Sequence, residues 1–282
     1  MSAPTALPLT PPSVNGIECF WNACIFSEQV RQAGYKLHRI TLEKLTKEAL
    51  DALAGTIERH YLEPRATFRN ASGGDSLARV LEARLPSRAD NRTAKKDRGG
   101  DIGELLGIEW LRRHSNGSWE CCYTLRWKES VRPRRGEDII GVDWSAKPIG
   151  LLKGEAKAGK TISSTTVSQA RERLNQDQGW PSPFTIDFLA EKLEFEGRLA
   201  EAERLFEERF QTQPGLRDTG CTHLLFLFSA ADPSDSIPTH AAAPKGTIHG
   251  QIAAVLVCPD YEAIRDNIHK RAIDLAQGRN LS

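Results

Sequence analysis

The chain has 282 residues, with 38 Lys and Arg set against 37 Asp and Glu for a formal net charge of +1. That balance excludes a polycationic coat for nucleic acid, so any such affinity must come from a local basic patch. A hydrophobic share of 39% and a charged share of 27% exclude a disordered or fibrous chain, and the length suffices to bury a core without staples.

Residues 1–16 form a Pro-, Ser- and Thr-rich tail with no basic residue and no long apolar run, which does not read as a targeting segment. The six cysteines, Cys19, Cys24, Cys121, Cys122, Cys221 and Cys258, make no C-x-x-C pair, which argues against zinc and thiol exchange. The expectation is a cytoplasmic protein with reduced thiols and no membrane span. The seven histidines lack ligand spacing and read as structural or surface residues.

An amino-terminal helical region is expected over residues 17–98. It opens on a short apolar stretch, Ile17 to Phe26, and continues with a helix from about Thr41 to Leu62, whose Leu42, Leu45, Leu50, Leu53, Ile57 and Tyr61 form one stripe. A second helix spans Ser76 to Ala83. The following Leu85 to Asp101 stretch, with Arg88, Arg92, Lys95, Lys96 and Arg98 closing on Gly99-Gly100, lacks apolar periodicity and reads as a loop or linker.

The core is expected over residues 99–282. Asp101 stands where an N-cap would, with Glu104 three residues on, opening a helix to about Arg113. Three strand-like runs follow, Trp119 to Trp127, Asp138 to Asp143 and Ile149 to Glu155, the last two joined by the turn-like Ser145 to Pro148; together they predict a meander. A helix over Thr165 to Leu174 comes next, then one or two amphipathic helices over Phe184 to Phe210 with a break at Gly197. Strands at His223 to Phe228 and Ile252 to Val257, separated by a loop, lead to a closing helix over Pro259 to Ala276. This order predicts a single α/β domain with a central mixed sheet flanked by helices.

The chemistry concentrates in Gly141-Val142-Asp143 and Leu151-Leu152-Lys153-Gly154-Glu155-Ala156-Lys157. In a strand, residues i and i+2 share a side, so Glu155 and Lys157 face one cleft while Ala156 turns into the core. A hairpin would bring Asp143 beside them, with Asp138 or Glu137 as substitutes on the same hairpin. Two carboxylates offer hard oxygen ligands to Mg²⁺, or to Mn²⁺, and the ammonium of Lys157 is suited to orient water or offset charge on a phosphate. Glu104, one helix upstream, is the fourth candidate and a third ligand; as the N3 residue of a capping box it has a purely structural alternative. A Glu-Ala-Lys tripeptide is common on exposed helices, but here apolar runs lead into the charges on both strands, which favours chemistry over chance.

Helix-borne Gly103-Glu104-Leu105-Leu106, then Gly141-x-Asp143, then Gly154-Glu155-Ala156-Lys157, resembles the PD-(D/E)XK nuclease superfamily and, more closely, the HamA nucleases of Hachiman antiphage defence. The resemblance covers roughly Gly100 to Leu174, and Val142 replaces the proline that leads the family motif. It implies a PD-(D/E)XK core and a Mg²⁺-dependent deoxyribonuclease working with a HamB-like superfamily 2 helicase. Asp143 and Glu155 would then be metal ligands, Lys157 the catalytic lysine and Glu104 the acidic residue on the helix.

Around this site, Arg126, Lys128, Arg132, Arg134 and Arg135 form a basic cluster suited to the DNA backbone. Lys160, Thr161, Ser163, Ser164 and Thr165 supply hydroxyl and amide groups for phosphate, and Gln169 lies on the helix beyond. The acidic Phe184 to Phe210 segment would repel a duplex and suits a protein partner or an outer layer. Two other readings compete. Gly154 to Thr161 matches the expression G-x-x-x-x-G-K-[ST] of a P-loop nucleotide-binding protein, although no Walker B strand follows. A non-catalytic helicase adaptor would carry the same acids as mere surface.

Overall fold

A computed structural model describes residues 16–30, 35–62, 74–114, 118–121, 136–210, 221–237 and 248–278. After the short helix α1 (Glu18–Asn22), strands β1 (Ile25–Val30) and β2 (Tyr35–Thr41) precede helices α2 (Lys47–Leu62), α3 (Gly74–Arg84) and α4 (Arg92–His114). The two-residue β3 (Glu120–Cys121) leads to β4 (Ile139–Asp143), β5 (Gly150–Gly159) and α5 (Ser164–Asn175). Helices α6 (Pro183–Phe195) and α7 (Leu199–Phe210), strands β6 (Cys221–Ser229) and β7 (Ile248–Val257), and helix α8 (Tyr261–Gly278) complete the order.

These strands form one seven-stranded sheet in the order β1-β2-β7-β6-β5-β4-β3. The four central strands β2, β7, β6 and β5 are parallel, while β1, β4 and β3 run antiparallel to their neighbours, so the sheet is mixed as expected. Central β6 is apolar along nearly its whole length because both its faces are covered. Leu224, Phe226 and Phe228 enter the larger core with α2, α4, α6, α7 and α8, whereas Leu225 and Leu227 enter a smaller one with Val167, Ala170 and Leu174 of α5.

Several expectations from the sequence are met: the β3-β4-β5 meander in its described part, α5, and the break between α6 and α7, where Gly197 takes φ +78°. Three are corrected. The amino-terminal region is not helical throughout, since β1 and β2 join the common sheet beside β7, and the expected division at residues 98/99 falls inside α4. The helix expected from about Thr41 starts at Lys47. The basic stretch read as a linker is helical from Arg92, where the Asn91 carboxamide accepts the Ala94 N–H at 2.8 Å and caps the helix in place of Asp101.

The glycines that obscured α4 explain its position. Gly99, Gly103 and Gly107, four apart, line one face of the helix. A Cβ at Gly103 would lie 3.0 Å from the Ala158 Cβ, and one at Gly107 only 2.5 Å from the Ile139 Cδ1. Tight packing on β4 and β5 thus replaces the apolar side chains whose absence weakened the helical pattern.

Candidate active site

Strand β5 is ten residues long and its antiparallel partner β4 only five, so β4 pairs with Gly150 to Gly154 and no further. Beyond Gly154, among the described residues, the strand pairs only with β6, with Glu155 to Gly159 opposite Leu225 to Ser229. On the side that β4 leaves open, the Asp138 carboxylate takes the place of a strand: its Oδ2 accepts the Ala156 N–H at 2.9 Å. That bond holds an acid beside Glu155 and Lys157.

Side chains alternate across β5. Leu152 and Ala156 enter the large core with Ile102, Leu105 and Leu106 of α4, so Lys153, Glu155 and Lys157 face the opposite side, under α5. Glu155 is 4% exposed and its Oε1 accepts hydrogen bonds from the Lys157 Nζ and from the Arg173 guanidinium of α5, the latter at 3.1 Å. The Lys157 Nζ also donates to the Ala156 carbonyl at 3.1 Å and stands 4.0 Å from the Asp138 Oδ2. Burial raises the Glu155 carboxyl above the ordinary range, and the Asp138 charge raises it further, against the pull of Lys157 and Arg173. The two acids lie within repelling reach of one another, and Lys157 and Arg173 offset that repulsion.

A second layer fixes this arrangement. The buried Lys153 donates to the carbonyls of Gln176 and Trp180, each at 2.9 Å, and lies 3.7 Å from Glu137. Glu137 in turn accepts from the Ser182 N–H at 2.7 Å and from the Thr185 hydroxyl. Buried His223, opposite Lys153 in register, bonds the Gly179 carbonyl at 2.8 Å. These contacts pin residues 176–182, which follow α5, and so fix the end of the helix that carries Arg173 over Glu155.

The residues expected at the site are only partly brought together. Glu155 and Lys157 meet; Asp143 does not join them. Asp143 pairs with Gly150, five residues from Glu155 along β5, a separation of about 16 Å at the rise of a strand. Its Oδ1 accepts the Ser145 N–H at 2.9 Å and the Ser145 hydroxyl at 2.6 Å, closing the turn. Asp138, at the other end of β4, occupies the position expected of Asp143. Glu104 follows Gly103 on α4, which packs against Ala158 from the sheet face opposite Glu155 and Lys157. Among the described residues, no group of three or more His, Cys, Asp and Glu is arranged to hold a metal ion, so the expected set of Glu104, Asp143 and Glu155 is not assembled.

Of the remaining candidates, Lys160 is exposed and paired with Glu262 at 2.9 Å. Thr161, Ser163, Ser164, Thr165 and Gln169 are exposed as well, and Ser163 caps α5. Arg126, Lys128, Arg132, Arg134 and Arg135 lie outside the described residues. Arg88 pairs with Glu82 and Arg98 is buried, so the basic stretch from Arg88 to Arg98 is not a uniform basic surface. The P-loop reading is overturned: Gly154 to Gly159 are extended in β5, with their backbone committed to the β6 ladder, whereas a phosphate cradle needs a loop of converging N–H groups. Arg173, Lys153 and His223 were missed. The four-residue spacing of Gln169 and Arg173 hints at a shared helix face, but nothing local links that face to Glu155.

A family model described as HamA matches residues 17–272, nearly the whole chain. The chain belongs to the HamA family. No curated protein matches it. The span shared with the HamA family, a component of Hachiman defence, begins ahead of α1 and ends within α8, so β1 and β2 belong to it as much as the β4-β5 hairpin does. No helix among the described residues of this HamA chain is long and apolar enough to cross a membrane.

Proposed function

We propose that this HamA chain is a deoxyribonuclease of the PD-(D/E)XK type, hydrolysing DNA phosphodiester bonds in the cytoplasm with Mg²⁺, or Mn²⁺ in its place, under the control of a HamB-like superfamily 2 helicase. The observation that carries the reading is the convergence of Asp138, Glu155 and Lys157 on β5 just past the end of its β4 pairing. The donor set fits the ion: Mg²⁺ asks for one or two carboxylates and fills its remaining positions with water and phosphate oxygens, so a pair of acids is enough. Asp138 and Glu155 would hold it. Bound there, the ion would act as a Lewis acid toward the scissile phosphate.

The protein's own groups account for the rest. Asp138 is held by the Ala156 N–H, so its carboxylate is positioned before any ligand arrives. Lys157, held between Glu155 and the Ala156 carbonyl, keeps an ammonium beside the two acids, suited to orient an attacking water or to offset charge on a phosphate oxygen. Glu104, behind the strand on α4, is the further acidic candidate that the family resemblance implies, and Lys160, Arg132, Arg134 and Arg135 remain candidates for contacts to the DNA backbone.

The test is incubation of plasmid and linear DNA with the protein, with and without Mg²⁺ and with and without the helicase partner, alongside Glu155→Gln and Lys157→Ala. The reading expects Mg²⁺-dependent cleavage that both variants lose. Cleavage unchanged in both would overturn it.

A further inference from the structure

The side chain of Arg173 is 62% exposed, yet its guanidinium rests on a carboxylate that is 6% exposed, in a site whose other cation, Lys157, is 23% exposed. Asp138, Glu155, Lys157 and Arg173 carry two negative and two positive charges, so the four side chains are balanced without a metal. A divalent ion would leave this group with a surplus of two positive charges and would draw on the Glu155 oxygen that Lys157 and Arg173 now share. Of those two cations, Lys157 is on the same strand and is also held by the Ala156 carbonyl. Arg173 reaches Glu155 from another element, on a long and exposed side chain, and so is the partner that moves at least cost.

Resting on the nuclease reading, we propose that Arg173 is an exchangeable positioning residue: it neutralises Glu155 in the metal-free protein and passes to a DNA phosphate when a divalent ion takes the carboxylate. The planar guanidinium suits both partners, since its parallel N–H donors match carboxylate and phosphate oxygens alike. The exchange couples the two ligands. Metal frees the arginine that DNA needs, and DNA keeps the arginine from competing for Glu155.

The experiment uses the full chain. Mn²⁺ affinity is measured calorimetrically without DNA, and affinity for a short DNA duplex is measured by fluorescence anisotropy in Ca²⁺ over a series of salt concentrations, for the wild type, Arg173→Gln and Glu155→Gln. Arg173→Gln is expected to tighten Mn²⁺ binding about two- to fivefold, the size of effect for an ion pair whose arginine is screened by solvent. The same variant should weaken Ca²⁺-supported DNA binding and lower the salt slope by about one. A merely structural arginine would do neither. If Glu155→Gln abolishes Mn²⁺ binding while Arg173→Gln leaves both affinities unchanged, the exchange is wrong and the metal site stands. If the wild type binds no Mn²⁺, the metal site itself fails and the exchange falls with it.

Discussion

The two ends of the β4-β5 hairpin carry the same residue type in opposite roles. At the turn end, Asp143 is bonded to the backbone and hydroxyl of its near neighbour Ser145 and closes a connection. At the open end, Asp138 takes the backbone N–H of Ala156, eighteen residues away in sequence, and stands with Glu155 and Lys157. The hairpin register separates them, since β4 runs antiparallel to β5 and whatever lies at one end of β4 faces the opposite end of its partner. An acid that ends an apolar strand is therefore no better a candidate than one that begins it.

The largest effect expected from this contrast is on cleavage. On the proposed nuclease reading, Asp138→Asn should lower the Mg²⁺-dependent rate by at least about a hundredfold, as should Glu155→Gln and Lys157→Ala, because each removes a charge from the proposed site. Asp143→Asn should stay within about twofold of the wild type in the same plasmid assay. The reverse pattern would break the comparison.

Packing sharpens it next. A Cβ at Gly154, in the last β4 pair, would lie 2.7 Å from the Ile139 Cβ, close to backbone that cannot swing away, whereas one at Gly150 would lie 3.1 Å from the Asp143 Cβ at the looser turn end. Gly154→Ala should cost about 1–3 kcal/mol of stability in urea unfolding, and Gly150→Ala less.

His223, behind the open end, offers a pH signature. Burial pushes its imidazole down to about 4, with the Lys153 and Arg171 charges adding to the effect against the Gly179 carbonyl that favours the charged form. The unfolded chain therefore takes up the proton first, and the stabilisation present above about pH 6.5 is lost as pH falls toward 4. The slope is at most one proton, about 1.4 kcal/mol per pH unit, and His223→Gln should flatten it in unfolding titrations over that window. The smallest effect belongs to the turn: Asp143→Ala should cost about 1 kcal/mol of stability, the worth of a lost local hydrogen bond, without a matching loss of cleavage.

Much of the fold was legible because its signals are local. The apolar runs of β4, β5, β6 and β7, the stripe of α2 and the punctuation at Gly197 each lie within a few residues of the structure they specify. The shared side of Glu155 and Lys157 followed from strand alternation alone. Strands β1 and β2 and the first turns of α4 were not legible. His38 and Arg39 interrupt the apolar content of β2, and the basic and glycine-rich start of α4 lacks the stripe that marks a helix.

The residues around Glu155 mark the boundary between the two kinds of information. That Glu155 and Lys157 point the same way is a property of ten consecutive residues in an extended chain. Which acid joins them, and that Arg173 crosses from α5 to rest on Glu155, was decided only when β4 paired in one register and α5 docked on one face of the sheet. Register and docking are set by burying apolar faces across segments far apart in sequence, and a one-residue slip would send every side chain of a strand to the other face.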